Sequence, residues 1–227
     1  LKAPIFATAF TAGMLRAKLA VYGGGLELPI NVVPLDGRFT VGPFDVELVT
    51  LAHSIPEMSA LAIRTPAGLV FHTGDWKLDE TPIIGEPPNK ARLNALGDEG
   101  VLALVCDSTN AYREGTSPSE GEVAQSITEI IKGAGGRVAV TCFSSNVARI
   151  KTVWDASRAA GRHLVVAGRA LHRVIEVAID TGYLPKSFKY LDQDQFGYLE
   201  RREVVLLCSW LAGCPTGALA RIAEEEH

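Results

Sequence analysis

Apolar positions along the chain follow two rhythms. In the first half, Ile30 to Leu35, Arg38 to Val41 and Phe44 to Leu51 are short runs separated by Asp36-Gly37 and Gly42-Pro43. Runs of this length bounded by glycine and proline predict β-strands. Leu61 to Thr65 and Leu69 to His72 flank Pro66-Ala67-Gly68, a hairpin pattern. Ahead of them, Thr11 to Tyr22 mixes Met14, Leu15, Ala17, Leu19 and Val21 with Arg16 and Lys18 before Gly23-Gly24-Gly25, which predicts a helix and its stop. Pro82 to Lys90 reads as a proline-rich loop, Ala91 to Leu96 as a short helix and Val101 to Cys106 as another strand. Strands dominate here and are expected to pair locally, as in stacked antiparallel sheets.

The rhythm changes near Gly115. Ser117-Pro118-Ser119-Glu120 carries a capping-box pattern, with Ser117 at the N-cap, Pro118 at the first helical position and Glu120 three residues after the cap. A helix to about Lys132 should follow. Strand Arg137–Phe143, helix Asn146–Ala160, strand His163–Ala167, helix Leu171–Thr181, strand Val204–Cys208 and helix Gly217–Glu225 complete the series. Strands alternating with helices predict a parallel, doubly wound unit. The boundary between the two architectures is expected at residues 112–118.

Three of the strands end on a chemically useful side chain. Val46 to Ala52 leads to His53, Leu69 to His72 leads through Thr73-Gly74 to Asp75, and Val101 to Cys106 leads to Asp107. Each has a bland alternative: a core histidine, a turn-capping aspartate, an Asx turn before Ser108-Thr109. Their repetition at three strand ends points to metal or catalytic chemistry at a sheet edge.

Composition narrows the class. The chain has 227 residues, 47% hydrophobic and 21% charged, with no apolar run long enough to span a membrane. It does not begin with Met and opens as if within a domain, so it reads as a fragment. Cys106, Cys142, Cys208 and Cys214 show no close-pair spacing, which favours buried reduced thiols in a cytoplasmic protein over disulfides.

The net charge of −4 does not by itself suggest a nucleic-acid partner, and its distribution is more informative than the sum. Residues 137–173 carry Arg137, Arg149, Lys151, Arg158, Arg162, Arg169 and Arg173 against Asp155 alone. Such a block suits a phosphate backbone, and a solvated helix face is the alternative.

Taken in order, several stretches resemble the metallo-β-lactamase superfamily, more narrowly its β-CASP nuclease branch and the ribonuclease J family. They are Pro4 to Thr8, Phe10 to Leu19, His53-Ser54-Ile55-Pro56, Ala62 to Pro66, His72-Thr73-Gly74-Asp75-Trp76-Lys77, Cys106-Asp107-Ser108-Thr109-Asn110, Phe143-Ser144-Ser145-Asn146-Val147 and Gly168-Arg169. The fold implied is α/β: a partial metallo-β-lactamase αββα sandwich over residues 1–115, then an incomplete doubly wound parallel-sheet β-CASP domain over residues 116–227. The resemblance implies that His53 is a terminal zinc ligand, that Asp75 bridges two zinc ions, and that Asp107 orients an active-site histidine. His72 is then a strand residue turned away. The same resemblance implies two Zn2+ ions, which would clamp the phosphodiester and supply the hydrolytic water.

The same resemblance implies RNA contact by Ser144, Ser145, Asn146, Arg149, Gly168 and Arg169 at the sheet edge where ligands usually bind; simple helix capping by Ser145 or Asn146 competes with that reading. It also implies cytoplasmic RNA processing, with endo- and 5′-to-3′ exonucleolytic cleavage, by a homodimer or homotetramer. A small-molecule hydrolase and a non-catalytic RNA-binding scaffold are the alternatives. The family's His-x-His-x-Asp-His motif and its later histidine motif do not occur in these 227 residues, so the isolated chain is expected to be inactive. A second departure is Cys208-Ser209-Trp210-Leu211-Ala212-Gly213-Cys214-Pro215, where the family has a polar, glycine-rich loop.

Overall fold

A computed structural model describes residues 3–22 and 28–209. The chain divides into two compact units, Leu1–Ser119 and Glu120–His227.

In the first unit β1 (Ile5–Ala7), α1 (Ala9–Tyr22) and β2 (Ile30–Val32) precede β3 (Arg38–Val41), β4 (Phe44–Thr50), β5 (Ser59–Thr65) and β6 (Gly68–His72). Then come α2 (Lys90–Glu99) and β7 (Val101–Val105). β1 and β2 form a parallel pair, and the other five strands form one sheet in the order β3-β4-β5-β6-β7. The hairpin is as expected: Thr65 pairs with Gly68 across Pro66-Ala67.

Alternation along the strands sorts the side chains into faces. Val49, Leu51, Ala60, Ala62, Leu69 and Phe71 form one core with Leu96 of α2, and Met58, Trp76 and Leu93 pack against it. Glu47 shares the face of Val49, where burial of a lone carboxylate would be costly. Two guanidinium groups resolve this. Glu47 lies 2.9 Å from Arg64 and 2.5 Å from Arg92, and Arg64 also holds Glu99 of α2 at 2.5 Å. The Arg92 hydrogen bond is the main reason the Glu47 carboxyl is held below its usual range.

Two expectations fail here. The sheet is not wholly antiparallel, because β7 lies parallel to β6. The connection through α2 carries the chain back to the end from which β6 starts, as a parallel neighbour requires. Cys106 is exposed rather than buried, while Cys142 and Cys208 are buried. Cys106 follows an edge strand on which Leu102 and Leu104 are 65% and 62% exposed, so no neighbouring layer covers it among the described residues. Cys214 lies outside the described residues.

The second unit contains α3 (Glu120–Gly133), β8 (Val138–Cys142), α4 (Val147–Ala159), β9 (His163–Ala167), α5 (Arg169–Asp180), β10 (Leu191–Asp192) and β11 (Val204–Ser209). All its strand pairings are parallel, in the order β10-β9-β11-β8. Val165, Ala167, Val204, Leu206 and Cys208 make a core with Leu191, Phe196 and Leu199. α4 and α5 pack against β9 and β11, burying Ile150, Val153 and Trp154 from one helix and Leu171, Val174 and Ile175 from the other.

α3 begins at Glu120 rather than at Pro118. Ser117 therefore lies too far ahead to be its cap; the Glu120 carboxylate pairs with Arg149 of α4 at 3.2 Å, and the Pro118 carbonyl accepts from Lys77 Nζ. β10 and the 3-10 turn Gln193–Tyr198 were not anticipated; two residues of strand are too few to leave a periodic signal. The expected helix Gly217–Glu225 lies outside the described residues.

Candidate metal centre and nucleic-acid interface

Strand direction assembles the first site. β4 and β6 are each antiparallel to β5, and β7 is parallel to β6. The C-terminal ends of β4, β6 and β7 therefore lie at one edge of the sheet, and His53, Asp75 and Asp107 follow those three ends. The chain beyond β6 is then folded back against the chain beyond β4: Ala52 and Lys77 form an antiparallel bridge, with the Lys77 amide donating to the Ala52 carbonyl at 2.8 Å. That bridge brings the His53 segment alongside Asp75-Trp76.

Thr73 ties the loop to β7. Its amide donates to the Val105 carbonyl at 2.9 Å, and its hydroxyl oxygen accepts from the Asp107 amide at 3.1 Å. Trp76 Nε1 donates to the Asp107 carbonyl at 3.4 Å. Gly74 turns the chain between these anchors with φ +62°, a left-handed conformation that favours glycine. The Gly74 amide donates to His72 Nδ1 at 3.0 Å, so the His72 ring is engaged by its own loop.

Each candidate now has an environment. Asp107 Oδ1 accepts from the Thr109 hydroxyl at 2.5 Å and from the Thr109 amide at 3.0 Å. These bonds, the hydroxyl first, hold the Asp107 carboxyl below its usual range, and the charge of His53 adds to the effect. His53 is exposed, with Nδ1 3.2 Å from Ser54 Oγ. The Asp75 carboxylate is exposed and has no hydrogen-bond or ion-pair partner among the described residues.

An imidazole and an unpaired carboxylate on one sheet edge are donors that suit zinc. They make part of a set rather than a whole one. Among the described residues no three or more His, Cys, Asp or Glu side chains are grouped to hold a metal ion, whereas zinc generally takes four ligands.

The second unit forms an edge of its own. β8, β9 and β11 end together, placing Ser144, Ser145 and Asn146 after one strand, Gly168 and Arg169 after the next and Ser209 at the end of the third. Asn146 is the N-cap of α4, its Oδ1 accepting from the Arg149 amide at 2.9 Å, and is 9% exposed. Ser144 is half-buried and Ser145 exposed. The Arg149 guanidinium is engaged by Glu120, and its Nε is buried without a hydrogen-bond partner.

Gly168, at φ +118°, is the N-cap residue of α5 and offers no side-chain cap. A Cβ there would stand 3.1 Å from Ser209 Oγ. Arg169 is exposed on the first turn of α5.

Pattern reading missed Thr73, Thr109 and Ser209. The Thr73-Gly74 turn and Asp107-Ser108-Thr109 were visible as turn chemistry, but the pairing of Thr73 with Asp107 joins positions 34 apart. Ser209 had no signal beyond its place at a strand end.

A parallel strand–helix unit with loops gathered at one sheet edge makes the second unit an α/β domain, and residues 135–227 match the family model described as Ribonuclease J, beta-CASP domain. Along its whole length the chain is similar to proteins named Ribonuclease J. It is 49% identical over 226 residues to Ribonuclease J of Sinorhizobium meliloti, covering 100% of this chain and 40% of that protein. It is 38% identical over 228 residues to Ribonuclease J of Thermus thermophilus, covering 99% and 39%, and 36% identical over 226 residues to Ribonuclease J 1 of Streptococcus pyogenes, covering 99% and 40%. The chain thus spans about two fifths of the length of these curated relatives. A crystal structure of a protein of unknown function from Enterococcus faecalis V583 shares the fold, with a TM-score of 0.63 at 16% identity over 93% of this chain and 54% of that one.

Proposed function

We propose that this chain forms part of a zinc-dependent ribonuclease of ribonuclease J type. Residues 1–115 supply part of a metallo-β-lactamase core, and residues 116–227 supply the β-CASP domain. The observation that carries this reading is the convergence of three strand ends on His53, Asp75 and Asp107 in a chain similar along its whole length to proteins named Ribonuclease J.

His53 and Asp75 are the residues that would hold metal. Bound zinc would polarise the phosphoryl oxygens and acidify a water. The chain's own groups prepare for that. Ser54 engages His53 Nδ1 and leaves Nε2 available. The Thr73 anchors and the left-handed Gly74 fix where the Asp75 backbone stands. Thr109 keeps Asp107 ionised, so that it orients a neighbouring imidazole as an acceptor. At the second edge, Ser144, Ser145, Asn146, Arg149, Gly168 and Arg169 contact RNA phosphates through hydroxyls, guanidinium groups and free backbone N–H groups. The enzyme works on cytoplasmic RNA, cutting internally and from the 5′ end, as a homodimer or homotetramer; the family resemblance supports these points.

Two tests separate the parts of the reading. RNA cleavage by a parent-length protein is compared with that of its Asp75→Ala variant, and wild-type activity with unchanged zinc content in the variant removes Asp75 from the site. Zinc titration of the 227-residue chain alone should show only weak binding and no RNA cleavage. Two tightly held ions would overturn the two-donor reading.

A further inference from the structure

The basic block of residues 137–173 does not form one surface. Arg149 and Arg169 stand at the end of the second unit's sheet where β8 and β9 finish, while Arg158 and Arg162 stand at the opposite end, where β9 begins. At that opposite end a cavity of about 530 Å³ opens between the last turns of α4 and the segment leading into β10. Arg158, Arg162, His163 and Lys189 line it, and no carboxylate does. Burial raises the Tyr190 phenol, and Glu176 and Asp192 add to the effect, but neither carboxylate is among the lining residues. None of Arg158, Arg162 and Lys189 has an ion-pair partner among the described residues.

These cations are also held in place. The Arg158 guanidinium lies 4.5 Å over the Trp154 ring, and Phe188 stacks on the same ring at 4.8 Å. Arg162 donates to the carbonyls of Gly136, at 2.7 Å, and Ala134. Trp154 Nε1 donates to the Lys189 carbonyl at 3.0 Å, which fixes the backbone that carries the third cation. Cations at the C-terminus of α4 would complement its dipole. That accounts for Arg158 and Arg162, but not for Lys189, which comes from another segment, or for the cavity between them.

We propose that this cavity binds the phosphate of a ribonucleotide, either free or within an RNA strand, as a site separate from the interface at the other end of the sheet. Three uncompensated cations select an anion, and guanidinium groups held in advance lose little freedom on binding it. Arg158 and Phe188 both pack on the Trp154 ring, and Trp154 is 5% exposed, so little of that ring is open to base stacking. Recognition therefore rests on charge. The volume falls within the roughly 300–1,000 Å³ of small-ligand pockets, larger than inorganic phosphate needs and suited to a nucleotide. The anion site does not rest on the ribonuclease reading, but the choice of a ribonucleotide as its ligand does.

The test is NMR titration of the isotope-labelled 227-residue chain with 5′-AMP and, separately, with a short oligouridylate. Saturable shifts are expected at the Trp154 indole and the His163 and Lys189 amides. Arg158→Gln combined with Lys189→Gln, both exposed positions, should weaken binding about tenfold for each cation removed, while Lys132→Gln, at an exposed position that does not line the cavity, leaves it unchanged. Saturation by 5′-AMP identifies a free nucleotide as ligand, and a response to the oligonucleotide alone identifies a strand; both support the site. Shifts confined to Ser144–Arg149 and Gly168–Arg169, no response to either probe, or an unaltered affinity in the folded double variant would overturn it.

Discussion

The backbone N–H of Asp107 donates to the side-chain oxygen of Thr73 at 3.1 Å. This bond joins the turn that carries Asp75 to the end of β7, so the two candidate acids stand in a relationship set by one threonine that is only 4% exposed. The Thr73 hydroxyl also donates to the Gly74 carbonyl at 2.8 Å, which uses its single donor.

Thr73→Val keeps the shape of the side chain but leaves the Asp107 amide and the Gly74 carbonyl without this partner. The expected cost is about 1–3 kcal/mol of stability, read by urea unfolding of the chain, with Thr73→Ser recovering most of it. In a parent-length protein the same variant should lower zinc occupancy. An unchanged urea midpoint in Thr73→Val would show that the bond does not hold the two segments together.

Glu47 sets an acid limit on stability. Its carboxyl is depressed in the folded state, chiefly by Arg92 and further by Arg64, so the folded chain binds fewer protons there than the unfolded chain. The stabilisation is fully present above the unfolded value of roughly 4.3 and is lost as pH falls through the lower folded value. Glu47→Gln should cost about 2 kcal/mol near neutrality, discounted for the partial exposure of both arginines. It should also flatten the acid limb of a stability-against-pH curve, which thermal unfolding at a series of pH values would measure.

Asn146 separates capping from recognition. As the N-cap of α4, its replacement by Ala should cost about 1 kcal/mol. Asn146→Asp retains a cap and suits the helix dipole, so its thermal stability should match the wild type. If the loop also faces RNA phosphates, the added negative charge should weaken RNA binding several-fold in a fluorescence-anisotropy titration. Equal binding by the Asp variant would leave Asn146 with the capping role alone.

Glu120 restrains Arg149 through the 3.2 Å ion pair between α3 and α4. Glu120→Gln should free the guanidinium for phosphate, raising RNA affinity. It should also steepen the dependence of log K on log salt by about 0.7 if one more phosphate of a single strand is neutralised. A slope unchanged from wild type would mean that Arg149 stays a structural partner of α3.

Local chemistry is what the sequence by itself determined. The apolar runs broken at Asp36-Gly37, Gly42-Pro43 and Pro66-Ala67 marked the strands, because those residues set the backbone geometry where they stand. Asn146 ahead of Val147 marked the start of α4, because a cap acts within one turn. The strand ends were visible too, and with them His53, Asp75 and Asp107 as separate candidates.

Only the tertiary structure decided how these pieces combine. Nothing local to Val101–Val105 says that β7 runs parallel to β6, yet that direction puts Asp107 at the same edge as Asp75. Glu120, read as a capping-box residue, pairs with Arg149, 29 positions away, because α3 packs against α4. The basic block seemed a single feature in one dimension and became two, since a helix carries its first and last turns to opposite ends of the sheet. Strand direction, ion-pair choice and the placement of charge all depend on contacts between segments far apart in the chain, and no residue carries that information in its immediate neighbours.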